Sequence, residues 1–232
     1  LLLSGLKSNF PFAKWDILSE ETCKEKSFFT SQEKENWCWI LDPLDGTKDF
    51  LQGSENYAVH IALVKEKIPK IGLVLIPERN ELWFGIIGNG AWCENRIGEK
   101  TSVRFSKRRQ LDQMVLVCSR SHREANLELL IQNLELGAEK SVGSIGCKIG
   151  TILRGESDIY LCLSLPRKSC PKDWDFSAPE AILKAAGGRI TNIDNEELNY
   201  GKSNFEQDGI IIASSDKSLH AKICLEIKEI IR

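Results

Sequence analysis

An apolar run from Trp37 to Leu41 ends in two aspartates three residues apart, Asp42 and Asp45, within the stretch WCWILDPLDGTKDF. Asp, Pro and Gly all favour turns, so both carboxylates are expected to project from the end of a strand. Carboxylates that close repel each other and call for positive charge between them. Oxygen-rich sites of this kind suit a hard cation such as magnesium, which keeps waters or substrate phosphate as its other ligands. Gly46 lets backbone approach a ligand, and a helix begun by TKDFL presents free N–H groups suited to a phosphate. Two further stretches carry acids at comparable places: Glu20 and Glu21 end the short apolar run of WDILSEET, and Asp175 stands beside Trp174 in PKDWDFSAPEAIL. Alone, Asp175 reads as a helix cap and Glu20 as a solvated loop charge. Together they make three acidic clusters, each at the end of an apolar segment and next to a turn, and point to chemistry run on carboxylates. Replacing Asp45 by Asn is expected to relieve repulsion with Asp42 and Asp175 and so to stabilise the metal-free chain.

Several rival chemistries are excluded. An aspartyl-phosphate hydrolase requires D-x-D-G-T, with one residue between the aspartates where this chain has two. A calcium loop requires acids at alternate positions and a glutamate at the twelfth, and no P-loop motif occurs. The eight cysteines form no C-x-x-C pair, and several sit in strand-like apolar runs, where Cys behaves as a small hydrophobe. That usage fits a reduced, cytoplasmic setting. The three histidines, His60, His122 and His220, are scattered, which argues against a histidine-rich metal centre. With 31 basic and 33 acidic side chains the formal charge is -2, so no strong field marks nucleic acid or membrane as a partner. No apolar run approaches the roughly 18–20 residues needed to span a bilayer.

The elements that must position these acids follow from periodicity. LLLSGLKSNFP reads as the end of an amphipathic helix closed by Asn9 and Pro11, which suggests that the natural start lies further upstream. In NYAVHIALV, Tyr57, Val59, Ile61 and Leu63 fall on one strand face, with small or polar residues between them. IGLVLIP and ELWFGIIG follow across the turn ERN, giving an antiparallel meander. Beyond Met114, strands (MVLVCSR, EKSVGS, DIYLCLSL, GIIIASS) alternate with helices (REANLELLIQNL, GCKIGTILRG, APEAILKAAGG and a C-terminal helix with Asp216 near its N-cap). The pattern is α/β, in layers: an antiparallel-sheet lobe over residues 1–110 and an α/β lobe over 111–232.

DPLDGTKDF, the SEE motif upstream of it and WDFSAPEAILKAAGG downstream resemble the inositol monophosphatase superfamily of magnesium-dependent, lithium-sensitive phosphatases. The likeness is greatest to the 3'(2'),5'-bisphosphate nucleotidases. It implies the layered αβαβα sandwich of the fructose-1,6-bisphosphatase and inositol monophosphatase folds, with part of the N-terminal helical layer missing here. It also implies two or three magnesium ions, with Glu20, Asp42, Asp45, Asp175 and the Leu44 carbonyl as ligands. Thr47 and Glu20 would orient and help deprotonate the attacking water, and the Gly46 and Thr47 N–H groups would hold the phosphate. SRSH (119–122) and GSIGCK (143–148) resemble nucleotide-contacting segments, which makes Ser119, His122, Ser144, Lys148 and Asp175 candidate substrate contacts. The further acids that the family carries upstream of SEE have no counterpart in this sequence. The implied activity is removal of the 3'-phosphate of adenosine 3',5'-bisphosphate, a by-product of sulfate assimilation. Its alternatives are an inositol or sugar phosphate phosphatase, or a non-catalytic phosphate- or metal-binding relic. A small phosphorylated substrate is the expected partner, and a homodimer is a candidate assembly.

Overall fold

β2 (Trp37–Asp45) is the strand around which the first sheet is built. The computed structural model describes residues 1–13, 15–23, 37–120, 125–164 and 170–231. β2 pairs in parallel with β1 (Asp16–Ser19) and antiparallel with β3 (Ala58–Lys65). The meander continues through β4 (Ile68–Ile76), β5 (Glu81–Ile86), β6 (Gly90–Glu94) and β7 (Lys100–Ser102), a seven-stranded sheet in sequence order. A second, five-stranded sheet runs β11-β12-β10-β8-β9. It comprises β8 (Val115–Ser119), β9 (Ala138–Val142), β10 (Ile159–Ser164), β11 (Arg189–Asn192) and β12 (Gly209–Ser214). β10 and β9 both lie parallel to β8, and β12 runs antiparallel to β10 and β11.

The helices complete the expected α–β–α–β–α layering. α1 (Leu2–Asn9) sets Leu2, Leu3 and Leu6 against the outer face of the first sheet, near Trp39, Leu41 and Leu63. α4 (Ile145–Leu153) and α5 (Asp173–Ala185) fill the middle layer and share one continuous core with both sheets. α3 (Ala125–Asn133) and α6 (Lys217–Ile231) cover the far face of the second sheet. α2 (Thr47–Leu51) is a short turn of helix after β2. No helix of the described residues is long and apolar enough to cross a membrane.

The alternation expected in β3 is present, but the fully buried face is the other one. Ala58, His60, Ala62 and Val64 are buried against the middle helices, whereas Val59 and Ile61 are only half-buried. The reason is close approach. A Cβ at Gly72 would lie 2.3 Å from the Ala178 carbonyl oxygen, and one at Gly85 would lie 2.3 Å from the Ile182 Cα. α5 therefore presses on the sheet where its residues are smallest, and the larger side chains turn outward toward α1.

Candidate active site

In a regular strand, residues three apart point to opposite faces. Asp42 and Asp45 escape that rule. Asp42 pairs with His60 and Asp45 with Ala58, so three steps on β2 oppose two on β3, a β-bulge at Pro43-Leu44. The extra residue restores parity and turns both carboxylates the same way. The Leu44 N–H donates to Asp42 Oδ1 at 2.9 Å, the Asx-type contact that holds the bulge. Gly46 then takes φ +87°, where a Cβ would meet the Asn56 carbonyl oxygen at 2.8 Å, and α2 begins at Thr47. Thr47 is exposed, and its hydroxyl donates to the Leu44 carbonyl at 3.0 Å.

Asp175 arrives from the first turn of α5. One of its oxygens accepts the Lys172 N–H at 2.5 Å, so it caps the helix and also faces the cluster. One oxygen each from Asp42, Asp45 and Asp175 lie within 4.8 Å of one another. Glu20 follows β1, whose Ser19 pairs with Leu41, and its exposed carboxyl lies beside Asp42. The structure thus brings three of the four acids expected from the sequence into one cluster, with Glu20 beside Asp42.

Their electrostatics divide sharply. Burial, with the Asp45 charge beside it, pushes Asp42 up to about 8, and the same two causes push Asp175 up to about 7. Burial also raises Glu20, against the hydrogen bond with Asp42. Asp45 goes the other way. Burial would raise it, but His60, the Ser144 hydroxyl and the Gly146 N–H outweigh that and hold it at about 2. The Gly146 N–H and Ser144 Oγ–H both donate to Asp45 Oδ2, the first at 3.0 Å. His60 is fully buried and puts Nε2 3.1 Å from that same oxygen. Burial pulls His60 down while Asp45 pulls it up, and the carboxylate wins at about 9.

Three buried or half-buried carboxylates, two of them with ionisation disfavoured by burial and by the Asp45 charge, form a donor set that fits a hard divalent cation. A cation would supply the positive charge that Asp42 and Asp175 lack.

The remaining candidates are less uniformly placed. Ser144 caps α4, accepts the Cys147 N–H at 3.2 Å and donates to Asp45, so its hydroxyl serves the carboxylate cluster. Lys148 is buried one turn further along α4, with Nζ 5.7 Å from the centre of the Tyr160 ring and no carboxylate within ion-pair distance among the described residues. Ser119 ends β8, and the next residue, Arg120, is ion-paired with Asp49 of α2, which brings that strand end beside Gly46 and Thr47. His122 lies outside the described residues. Neither a role for His60 nor the Asp49–Arg120 pair is visible in the sequence. Only strand register reveals the first, and only the tertiary structure brings Arg120, after β8, to Asp49 of α2.

The sequence pattern of the inositol monophosphatase family matches residues 1–232. The chain belongs to the inositol monophosphatase family. Among its relatives is the 3'(2'),5'-bisphosphate nucleotidase CysQ of Buchnera aphidicola, 33% identical over 187 residues, which cover 81% of this chain and 66% of that protein. CysQ of Escherichia coli K12 is 31% identical over 70% of this chain and 61% of its own length. The chain therefore spans a little under two thirds of the length of these two CysQ relatives. The candidate Nus factor SuhB of Neisseria meningitidis serogroup B is 28% identical over 94% of this chain and 77% of its own. Among solved structures, the Thermotoga maritima IMPase superposes with a TM-score of 0.76 at 22% identity, covering 99% of this chain and 80% of that one. CysQ from Bacteroides thetaiotaomicron gives 0.73 at 28% identity, covering 93% and 82%. The layered fold is that of the inositol monophosphatases.

Proposed function

We propose that this chain is a magnesium-dependent phosphomonoesterase that removes the 3'-phosphate of adenosine 3',5'-bisphosphate. The observation that carries the hydrolase reading is the convergence of Asp42, Asp45 and Asp175 within 4.8 Å, with Glu20 beside the first. These side chains and the Leu44 carbonyl would hold the metal, which when bound supplies Lewis-acid stabilisation of phosphoryl charge and a more acidic water. The chain's own part is positional. Glu20 and the Thr47 hydroxyl stand on the open side of the cluster, where they orient a water for in-line attack and Glu20 takes its proton. The Gly46 and Thr47 N–H groups would hold the phosphate. As the water oxygen bonds to phosphorus the bond to the 3'-oxygen breaks, and that oxygen takes a proton from solvent and leaves as the 3'-hydroxyl.

The nucleotide assignment draws support from the CysQ relatives and from Lys148, a buried cation with no carboxylate partner among the described residues, which a second phosphate would satisfy. An inositol or sugar phosphate remains the second reading, favoured by one observation. Ser144, expected to touch nucleotide, gives its hydroxyl to Asp45. A panel of adenosine 3',5'-bisphosphate, inositol 1-phosphate and fructose 1,6-bisphosphate, each assayed with magnesium and with chelator, tests both. Preference for the bisphosphate nucleotide supports the first reading, and preference for inositol phosphate the second. Turnover that survives exhaustive chelation overturns the metal-dependent reading, and magnesium binding without any turnover identifies a relic.

A further inference from the structure

We propose that His60 is a positioning residue that ties Asp45 on β2 to the first turn of α5, and so sets the distance between the two elements that carry the carboxylates. The proposal rests on the metal-binding reading above. His60 Nδ1 lies 3.3 Å from the Trp174 carbonyl oxygen, the residue immediately before Asp175, and Nε2 lies 3.1 Å from Asp45 Oδ2. A carbonyl oxygen only accepts, so Nδ1 must be the donor there. Nε2 makes no well-aligned hydrogen bond, and Asp45 is the group within its reach among the described residues.

The surroundings are shaped for this ring. His60 sits directly opposite Asp42 in the β2–β3 register, so it emerges on the face that the acids share. Its neighbours on that face of β3, Ala58 and Ala62, are small and fully buried. On the α4 side a Cβ at Gly146 would stand 2.3 Å from Nε2, so the helix leaves a hollow that only glycine provides. Burying an imidazole there costs free energy that a leucine would not, and only its two polar contacts offset the cost. With Oδ2 engaged by Ser144, Gly146 and His60, the other Asp45 oxygen is the one left to serve as a ligand. Partners of metal-ligating groups orient them, and their loss typically costs about 10–100-fold in metal affinity.

The test compares wild type with His60→Leu, which removes both contacts, and His60→Gln, which keeps a donor toward Asp45. Magnesium binding is followed by titration calorimetry, and hydrogen exchange at the Trp174 and Asp175 amides is followed in metal-free protein. His60→Leu is expected to weaken magnesium binding about 10–100-fold, to quicken exchange at the start of α5 and to retain the wild-type far-ultraviolet circular dichroism. His60→Gln should recover at least part of both effects. Wild-type affinity and exchange in a folded His60→Leu protein overturn the proposal. So does a glutamine variant no better than leucine, which assigns the effect to ring volume. Loss of fold in both variants assigns His60 to the core alone and overturns it equally. If wild type binds no magnesium, the metal-binding reading fails, and exchange at the start of α5 decides the tie by itself.

Discussion

At the scale of single residues, the two aspartates of the bulge are not equivalent. Repulsion alone predicts that Asp45→Asn stabilises the metal-free chain, and the structure reverses that expectation. Asp45 is the satisfied carboxylate, facing His60, Ser144 and Gly146, while Asp42 is the one whose ionisation burial and the Asp45 charge make unfavourable. Asp42→Asn should therefore raise the melting temperature in chelator and Asp45→Asn should lower it, although both cut turnover by orders of magnitude. Calorimetric melting of the two metal-free variants checks the sign. Thr47→Val keeps the shape of the turn but loses the hydroxyl, so kcat should fall steeply while magnesium affinity holds. Equal activity would leave only the Thr47 backbone with a role. Lys148→Ala removes a cation whose charge-assisted bond to a second phosphate is worth roughly 1.5–3 kcal/mol, about ten- to a hundred-fold. The loss should fall on KM for the bisphosphate nucleotide and spare a small monophosphate. The four acids were legible because each ends an apolar run beside a turn. His60 was not, since a lone histidine in a strand acquires meaning only once β2 is laid against β3.

At the scale of elements, most strands and helices were readable from periodicity and turn residues. The meander from β2 to β5, the helix TKDFL and the stop of α5 at Gly187-Gly188 all stand where the pattern puts them. β1, β6, β7 and β11 are not marked as strands by that reading. They are short, and KTS in β7 is exposed throughout, so no alternation marks it. The inner face of β3 was obscured for a different reason. Hydrophobic pattern favours the larger side chains, whereas the helix chose the face with room for its backbone. Gly85→Ala tests that account, because the new methyl would overlap Ile182 Cα. A loss of about 1–3 kcal/mol or more in urea unfolding is expected, and an unchanged midpoint would show that α5 is free to move away.

For the whole molecule, the acids come from residues 20, 42, 45 and 175 and from two sides of one shared core, so their charge states weigh on global stability. Asp42 at about 8 and Asp175 at about 7 keep protons in the folded chain that the unfolded chain releases near pH 3.8. His60 at about 9, against 6.5 unfolded, acts with the same sign. Stability of the metal-free protein is therefore greatest at mildly acid pH and drains away as pH rises from about 4 to 9. Asp45, held at about 2, opposes this only below its unfolded value of 3.8. Melting temperatures in chelator should fall between about pH 5 and 8.5, and saturating magnesium should recover most of the loss at the alkaline end. A flat profile in chelator would remove the repulsion on which the cation-binding reading depends.

The bulge at Pro43-Leu44 carries a consequence for reading other genomes. Its one extra residue is what turns Asp42 and Asp45 to the same side across a three-residue spacing. Removing Pro43 would leave the two acids two apart, still on one face of a regular strand, but would take away the bulge that the Leu44 N–H contact to Asp42 holds. A homologue with a single-residue gap at this point would therefore keep the paired acids and lose the turn in which the Leu44 carbonyl meets the Thr47 hydroxyl. A gap there would report on the backbone between the acids, which a search that scores the acidic letters alone passes over.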